Sequence, residues 1–172
     1  SNLSSTRALK DVTLWFGGTY SAAAVGEVNV VEEMKRTGSV IGGEGNGGVI
    51  LPSLHYGRDA LVGTALFLSL LAEREQSMTQ LRSTYPAYSM SKNRADTKEG
   101  LDMDVLCDRM RKAFPGATIS MVDGLRLDFE NERKWVSLRK SNTEPILRIY
   151  SEAPDKSGAD DLASQILALL SL

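Results

Sequence analysis

Ala117-Thr118-Ile119-Ser120-Met121-Val122-Asp123-Gly124-Leu125-Arg126-Leu127-Asp128-Phe129 decides the fold of the second half of this chain. An Asp-Gly pair between two β-prone runs is a strong short-range hairpin signal, so residues 117–122 and 125–129 are predicted as paired strands. Downstream, residues 134–139 alternate, with Val136 and Leu138 opposing Trp135 and Ser137, and 146–151 reads as a further strand. Upstream, 85–94 has strand-like content despite Pro86. Met103, Leu106, Cys107, Met110 and Phe114 fall on one helical face that ends at Pro115-Gly116. Ser157 is the expected cap of a last helix carrying Leu162, Ala163, Ile166, Leu167 and Leu170. The resulting order, β-α-β-β-β-β-α, predicts an antiparallel sheet with both helices on one side.

The first half has another rhythm. Leu9, Val12, Trp15 and Phe16 give helical spacing over 6–16, with Ser4 or Ser5 as cap and Gly17-Gly18 as stop. Residues 19–24 are expected as a strand and 28–36 as a helix stopped at Gly38. Short strands are expected at 39–41 and 49–51, on either side of a glycine cluster. Asp59 is placed to cap an apolar helix through Ala72, read as a buried core helix because it is shorter than the ~20 residues of a membrane span. Alternating helices and short strands indicate an α/β layer. The text turns polar after Ala72, so the expected organisation is an α/β piece over 1–76, a linker over 77–84 and an α+β domain over 85–172.

Composition excludes several functions. Of 172 residues, 42% are hydrophobic, which argues against wholesale disorder. Lys+Arg 20 against Asp+Glu 22 leaves a net charge of −2, so no global field gathers nucleic acid. The single cysteine, Cys107, forms no internal disulfide and reads as core packing in a reducing, cytoplasmic setting. The single histidine, His55, excludes a multi-His metal site. Residues 1–6 hold no signal-peptide pattern, and the abrupt start reads as a cut into a longer chain.

Two constellations carry chemistry. Gly42-Gly43-Glu44-Gly45-Asn46-Gly47-Gly48 lets the backbone approach a ligand closely, and Glu44 and Asn46 offer the acceptors and donors that grip vicinal hydroxyls. Gly43-x-Gly45-x-x-Gly48 formally matches a dinucleotide fingerprint, but that motif must open a helix, and here a strand follows. The other reading of the loop is a solvated glycine-rich connection. The second constellation is Arg139-Lys140-Ser141-Asn142-Thr143-Glu144-Pro145-Ile146-Leu147-Arg148. A turn with Ser141 and Thr143 hydroxyls and backbone N–H groups, flanked by Arg139 and Arg148, has the chemistry of a phosphate clamp. Arg133, Lys134, Arg139, Lys140 and Arg148 are expected to gather around that one turn. An ordinary hairpin with solvated arginines is the alternative.

Together the two constellations resemble the α-D-phosphohexomutase family, which includes phosphoglucomutase, phosphomannomutase and phosphoglucosamine mutase. Residues 139–145 match the family's R-x-S-[GN]-T-E-P phosphate loop at every defined position, and Arg148 matches its later arginine. Glu44 falls on the Glu of the family's G-E-x-S-G sugar loop. Asn46 replaces the usual Ser, and Gly48 stands where many members have His. Glu27, on the hinge-like loop where many members have Gly-His, is a further candidate contact. The resemblance implies the later part of a third α/β domain and a fourth, TATA-box-binding-protein-like domain.

It also implies that Arg139, Ser141, Asn142, Thr143 and Arg148 bind phosphate and that Glu44 and Asn46 bind sugar. The family's T-x-S-H-N-P phosphoserine segment and D-x-D-x-D-R metal run are absent from these residues. The resemblance therefore implies a C-terminal fragment with no catalytic or metal residue of its own. Its partners would be a phosphosugar and the N-terminal domains of a parent isomerase, without nucleic acid or membrane. That parent would use Mg²⁺ and a hexose 1,6-bisphosphate intermediate. A free-standing phosphosugar-binding module is the alternative, with a dinucleotide-dependent oxidoreductase behind it. Glucose, mannose and glucosamine phosphates stay open as substrates.

Overall fold

In the computed structural model, which describes residues 1–96, 102–141 and 144–170, the chain divides into two units, Ser1–Ala87 and Tyr88–Leu172. In the first unit, helix α1 (Arg7–Trp15) is capped by Thr6, whose hydroxyl accepts from the Ala8 N–H, rather than by Ser4 or Ser5. Those two serines instead turn toward Asn2, whose Oδ1 accepts from both hydroxyls. Helix α2 (Glu27–Thr37) ends on Gly38 in the left-handed conformation, φ +66°, as its sequence predicts. Strands β1 (Gly42–Gly43) and β2 (Val49–Ile50) pair antiparallel. Val30 and Met34 of α2 bury against Ala23 and Ile50.

Two expected strands shift. Of residues 19–24 only Ala23 bridges, to Asn2, through Leu3 N–H and its own N–H. Residues 39–41 stay outside any strand, with Val40 and Ile41 exposed, and pairing starts at Gly42. At Gly42 the backbone packs closely over Met34, where an added Cβ would lie 2.2 Å from Sδ.

Helix α3 (Ala60–Arg74) is capped by Asp59, which accepts from the Val62 N–H. It is not the buried core helix expected: none of its residues is buried, and Leu61 is 83% exposed. Its apolar residues lie all round the helix, while the buried cluster of this unit is small, made of Ala23, Val30, Met34 and Ile50. The stretch expected as a linker, 77–84, holds a helix, α4 (Met78–Ser83), with a reciprocal Ser77–Gln80 capping box and a buried Leu81.

The second unit contains strand β3 (Ser89–Asp96), helix α5 (Met103–Ala113), strands β4 (Thr118–Ser120), β5 (Leu125–Phe129), β6 (Lys134–Lys140) and β7 (Ile146–Ala153), and helix α6 (Lys156–Leu170). The strands form one antiparallel sheet in the order β3-β7-β6-β5-β4. The deciding turn forms on Gly124, φ +74°, where a Cβ would lie 2.4 Å from the Leu138 carbonyl oxygen. Period-two alternation then sorts each strand. Leu125, Leu127, Val136, Leu138, Leu147 and Ile149 meet Leu106, Cys107 and Met110 of α5 and Leu162 and Ile166 of α6 in one core. Both helices therefore cover the same face.

Alternation sends Arg148, Arg139, Trp135 and Arg126 to the opposite face. Ser157 does not cap α6. Asp155 accepts from the Gly158 N–H at 2.8 Å, and the Ser157 hydroxyl points to Asp161. No helix among the described residues is long and apolar enough to cross a membrane.

Candidate functional site

Each unit carries one of the two constellations. In the second unit, β6 leads into the turn and β7 leads out of it. The Ser141 N–H donates to the Ile146 carbonyl at 2.9 Å and closes the turn. Asn142 and Thr143, both candidate phosphate contacts, lie outside the described residues. The strand register sets Arg139 directly opposite Arg148. Directly opposed residues have Cβ atoms about 5 Å apart, so two guanidinium stems rise side by side from the face opposite the helices. Arg139 lies 3.6 Å from Asp123 and is 37% exposed; Arg148 lies 3.9 Å from Glu144 and is 47% exposed. Both ion pairs are long, and both side chains reach solvent.

The expected five-residue basic cluster is smaller than its sequence suggested. Arg133 and Lys134 sit at the opposite end of β6, about 20 Å from Lys140 at ~3.4 Å per residue. Arg133 stacks over Tyr88 at 5.3 Å, and Lys134 pairs with Glu132. Sequence proximity grouped these residues, and the extended strand separates them.

In the first unit, the Glu44 N–H donates to the Gly48 carbonyl and the Gly47 N–H to the Glu44 carbonyl, so the glycine cluster is the tip of the β1–β2 hairpin. This geometry disposes of the dinucleotide fingerprint, because Gly48 opens a strand and not a helix. A Cβ at Gly43 would lie 2.2 Å from the Gly48 carbonyl oxygen, so glycine is required there. Glu44 is held from two sides: Asn2 Nδ2 donates to Oε1 at 3.1 Å, and Arg58 Nη1 lies 3.5 Å from Oε2. Its side chain is only 6% exposed.

Arg58 also reaches Glu27, with Nε 2.8 Å from Oε2 while its backbone N–H donates to Oε1 at 3.1 Å. Glu27 and Glu44 are thus brought together through one guanidinium that no sequence motif indicated. Its signal lies in Gly48, where a Cβ would lie 2.6 Å from Arg58 Cδ. Arg58 packs against Gly48. Asn46 lies on the exposed tip, and its Oδ1 accepts from the Gly48 N–H at 3.2 Å.

His55, unassigned by sequence, contacts Asp59 at 3.1 Å. The Val62 N–H and then His55 hold the Asp59 carboxyl below the usual range. Asp59 thus serves as the cap of α3. Among the described residues no group of three or more His, Cys, Asp and Glu is placed to hold a metal. The nearest approach, Glu27 with Glu44, has a guanidinium between its carboxylates and does not suit a cation.

The chain's first 88 residues match the model of phosphoglucomutase/phosphomannomutase α/β/α domain III, and residues 107–169 match that of the C-terminal domain. The chain belongs to the α-D-phosphohexomutase family. A probable phosphoglucosamine mutase of Methanopyrus kandleri is 29% identical over 172 residues, covering 98% of this chain and 37% of the relative. The crystal structure of a phosphoglucomutase/phosphomannomutase family protein from Burkholderia thailandensis superposes with a TM-score of 0.75 at 25% identity, covering 96% of this chain and 35% of that one. N-acetylphosphoglucosamine mutase of Aspergillus fumigatus, solved with GlcNAc-6P and magnesium, shares the fold at a TM-score of 0.65 and 14% identity, over 94% of this chain and 38% of that one. The chain thus spans little more than a third of these phosphohexomutases.

Proposed function

We propose that this chain is the substrate-binding C-terminal part of a phosphohexomutase that interconverts hexose 1-phosphate and hexose 6-phosphate. Arg139, Ser141 and Arg148, with Asn142 and Thr143, hold the phosphate that does not react. Asn46 and Glu44 meet the sugar hydroxyls. Glu44 keeps lone pairs beyond those used by Asn2 and Arg58, and Glu27 acts on it indirectly by fixing Arg58. Holding the remote phosphate lets binding energy orient the reacting end. The domain organisation 1–76, 77–84 and 85–172 belongs to this reading, with the units divided near residue 87 in its support.

One observation carries the proposal: Arg139 opposite Arg148 on strands that flank the phosphate-loop sequence. Guanidinium forks match phosphate oxygens in bidentate fashion, and among the described residues no carboxylate holds either one closer than 3.6 Å. Phosphoryl transfer itself needs a donor and metal, which in this family are Mg²⁺ and, through the bisphosphate intermediate, a phosphoserine. These would come from N-terminal domains of the same protein.

Calorimetric titration with glucose 6-phosphate at low salt tests the reading. Weak, salt-sensitive binding is expected, and Arg148→Ala should weaken it at least tenfold; unchanged affinity overturns the phosphate assignment. The same chain, supplied with glucose 1-phosphate and Mg²⁺, should show no mutase turnover. Robust turnover by a pure sample would mean that the donor lies within these residues. A hexosamine phosphate is the second reading of the substrate, favoured by the name of the Methanopyrus relative. Comparing glucose, mannose and glucosamine phosphates on the full-length protein separates the two.

A further inference from the structure

The row formed by Arg139 and Arg148 does not end at β7. The register on the other edge of that strand sets Arg94 of β3 directly opposite Arg148. Three arginines, Arg94, Arg148 and Arg139, therefore stand in one line across three neighbouring strands, on the face opposite the helices. Neighbouring strands are about 4.8 Å apart, so the three stems span roughly 10 Å. Nothing in the sequence spacing shows this, because Arg94 lies 54 residues before Arg148.

Like charges placed directly opposite on a sheet destabilise it. The neighbours relieve this only in part. Asp123 and Glu144 stand near Arg139 and Arg148, and together they offset two of the three positive charges. Arg94 is exposed and makes no ion pair among the described residues. Asp96, two positions on along the same face of β3 and opposite Ile146, forms none with it. Lys92, two positions back, is drawn over the Tyr150 ring at 5.4 Å and does not join the row. Among the described residues the row thus holds one arginine without an ion pair, Arg94.

We propose that Arg94 is a third binding residue of the phosphate site, and that it selects a dianionic phosphate monoester. A phosphate monoester carries between one and a half and two negative charges near neutral pH and presents three strong acceptor oxygens. Two arginines already offset by carboxylates match its shape but supply little net charge. Arg94 adds the surplus charge and a third donor fork. This inference rests on the proposal that Arg139 and Arg148 hold phosphate, and it extends that site by one strand.

The test is a titration of the 172-residue chain with glucose 6-phosphate and, separately, inorganic phosphate, for wild type, Arg94→Ala, Arg94→Lys and Arg148→Ala. Arg94→Ala is expected to weaken both ligands about fivefold, and Arg94→Lys to recover part of that loss through its charge. Melting without ligand should be unchanged or slightly higher in Arg94→Ala, because a like-charge neighbour is gone. If Arg148→Ala weakens binding while Arg94→Ala matches wild type, Arg94 lies outside the site and the inference fails alone. If neither variant changes affinity, the phosphate assignment fails and takes the inference with it. Loss for glucose 6-phosphate with none for inorganic phosphate would put Arg94 on the sugar and overturn its role as a phosphate ligand.

Discussion

The two constellations handle charge in opposite ways. Around the β1–β2 hairpin, Arg58 sits between Glu27 and Glu44, Asn2 fills the remaining side of Glu44, and the carboxylate is nearly buried. Along β3, β7 and β6, three arginines face one another with only distant carboxylates. The hairpin pairs its charges internally: Arg58 and Glu27 shape the loop, and the proposed sugar contacts, Glu44 and Asn46, are presented by it. The arginine row keeps Arg94 without an ion pair among the described residues, and on the proposed reading a phosphate completes it. A charged residue can thus be held by internal partners in one unit and stand open to solvent in the other.

Removing one arginine from each region breaks this comparison most directly. Arg58→Ala leaves the buried Glu44 with Asn2 as its named partner and frees Glu27. Loss of a charged hydrogen bond to a buried carboxylate costs about 1–2 kcal/mol, which lowers the melting temperature of a unit this size by several degrees. Arg148→Ala should leave unliganded melting within about 1 °C of wild type, since its 3.9 Å pair is exposed. The rise in melting temperature that glucose 6-phosphate gives wild type should nevertheless vanish in Arg148→Ala. If Arg58→Ala melts like wild type and Arg148→Ala collapses, the assignment of structural and ligand-directed roles is reversed.

The second unit was the more legible in sequence. Its strands alternate strictly, and alternation is a local property. Val136 and Leu138 against Trp135 and Ser137 revealed the strand, and the fold then sets Arg139 on the face opposite the helices. The Asp123-Gly124 turn is likewise local, since its glycine conformation and the close approach of Leu138 admit no larger residue. Register is not local. The pairing of Arg94 with Arg148 depends on β3 joining β7 across the intervening helix and hairpins, and no spacing rule reports it.

The first unit misled where side chains decide. Strand pairing starts at Gly42 and not at 39–41, with the Gly42 backbone close against the Met34 side chain. Helix α3 was expected to be buried, yet its all-round apolar surface exceeds what its small unit covers. Arg58 carries no motif at all. It was found only because the fold brings α3's N-terminal approach beside the hairpin, where Glu27 and Glu44 meet it.

The smallest effect calibrates the internally paired side of the comparison. Glu33 of α2 accepts two bonds from Arg36, from Nε at 2.8 Å and Nη2 at 2.6 Å, and a third from the Ser21 hydroxyl. The Arg36 bonds, then Ser21, hold its carboxyl down to about 2. A carboxyl lowered on folding contributes stability that is full above its unfolded value of about 4.3 and is lost as pH falls toward the folded one. Arg36 is 70% exposed, so solvent screens most of this contribution. Glu33→Gln should therefore lower the melting temperature by roughly 1 °C or less at pH 6. That difference should fade between about pH 4.5 and 2. Asp59 and Asp160 are also lowered, but they titrate alike in both proteins, so subtracting the two melting profiles isolates Glu33. A difference that persists at pH 2 would assign the effect to packing of the side chain. A difference well above 1 °C at pH 6 would show that even exposed pairs in this unit are structural, and would widen the contrast with the arginine row.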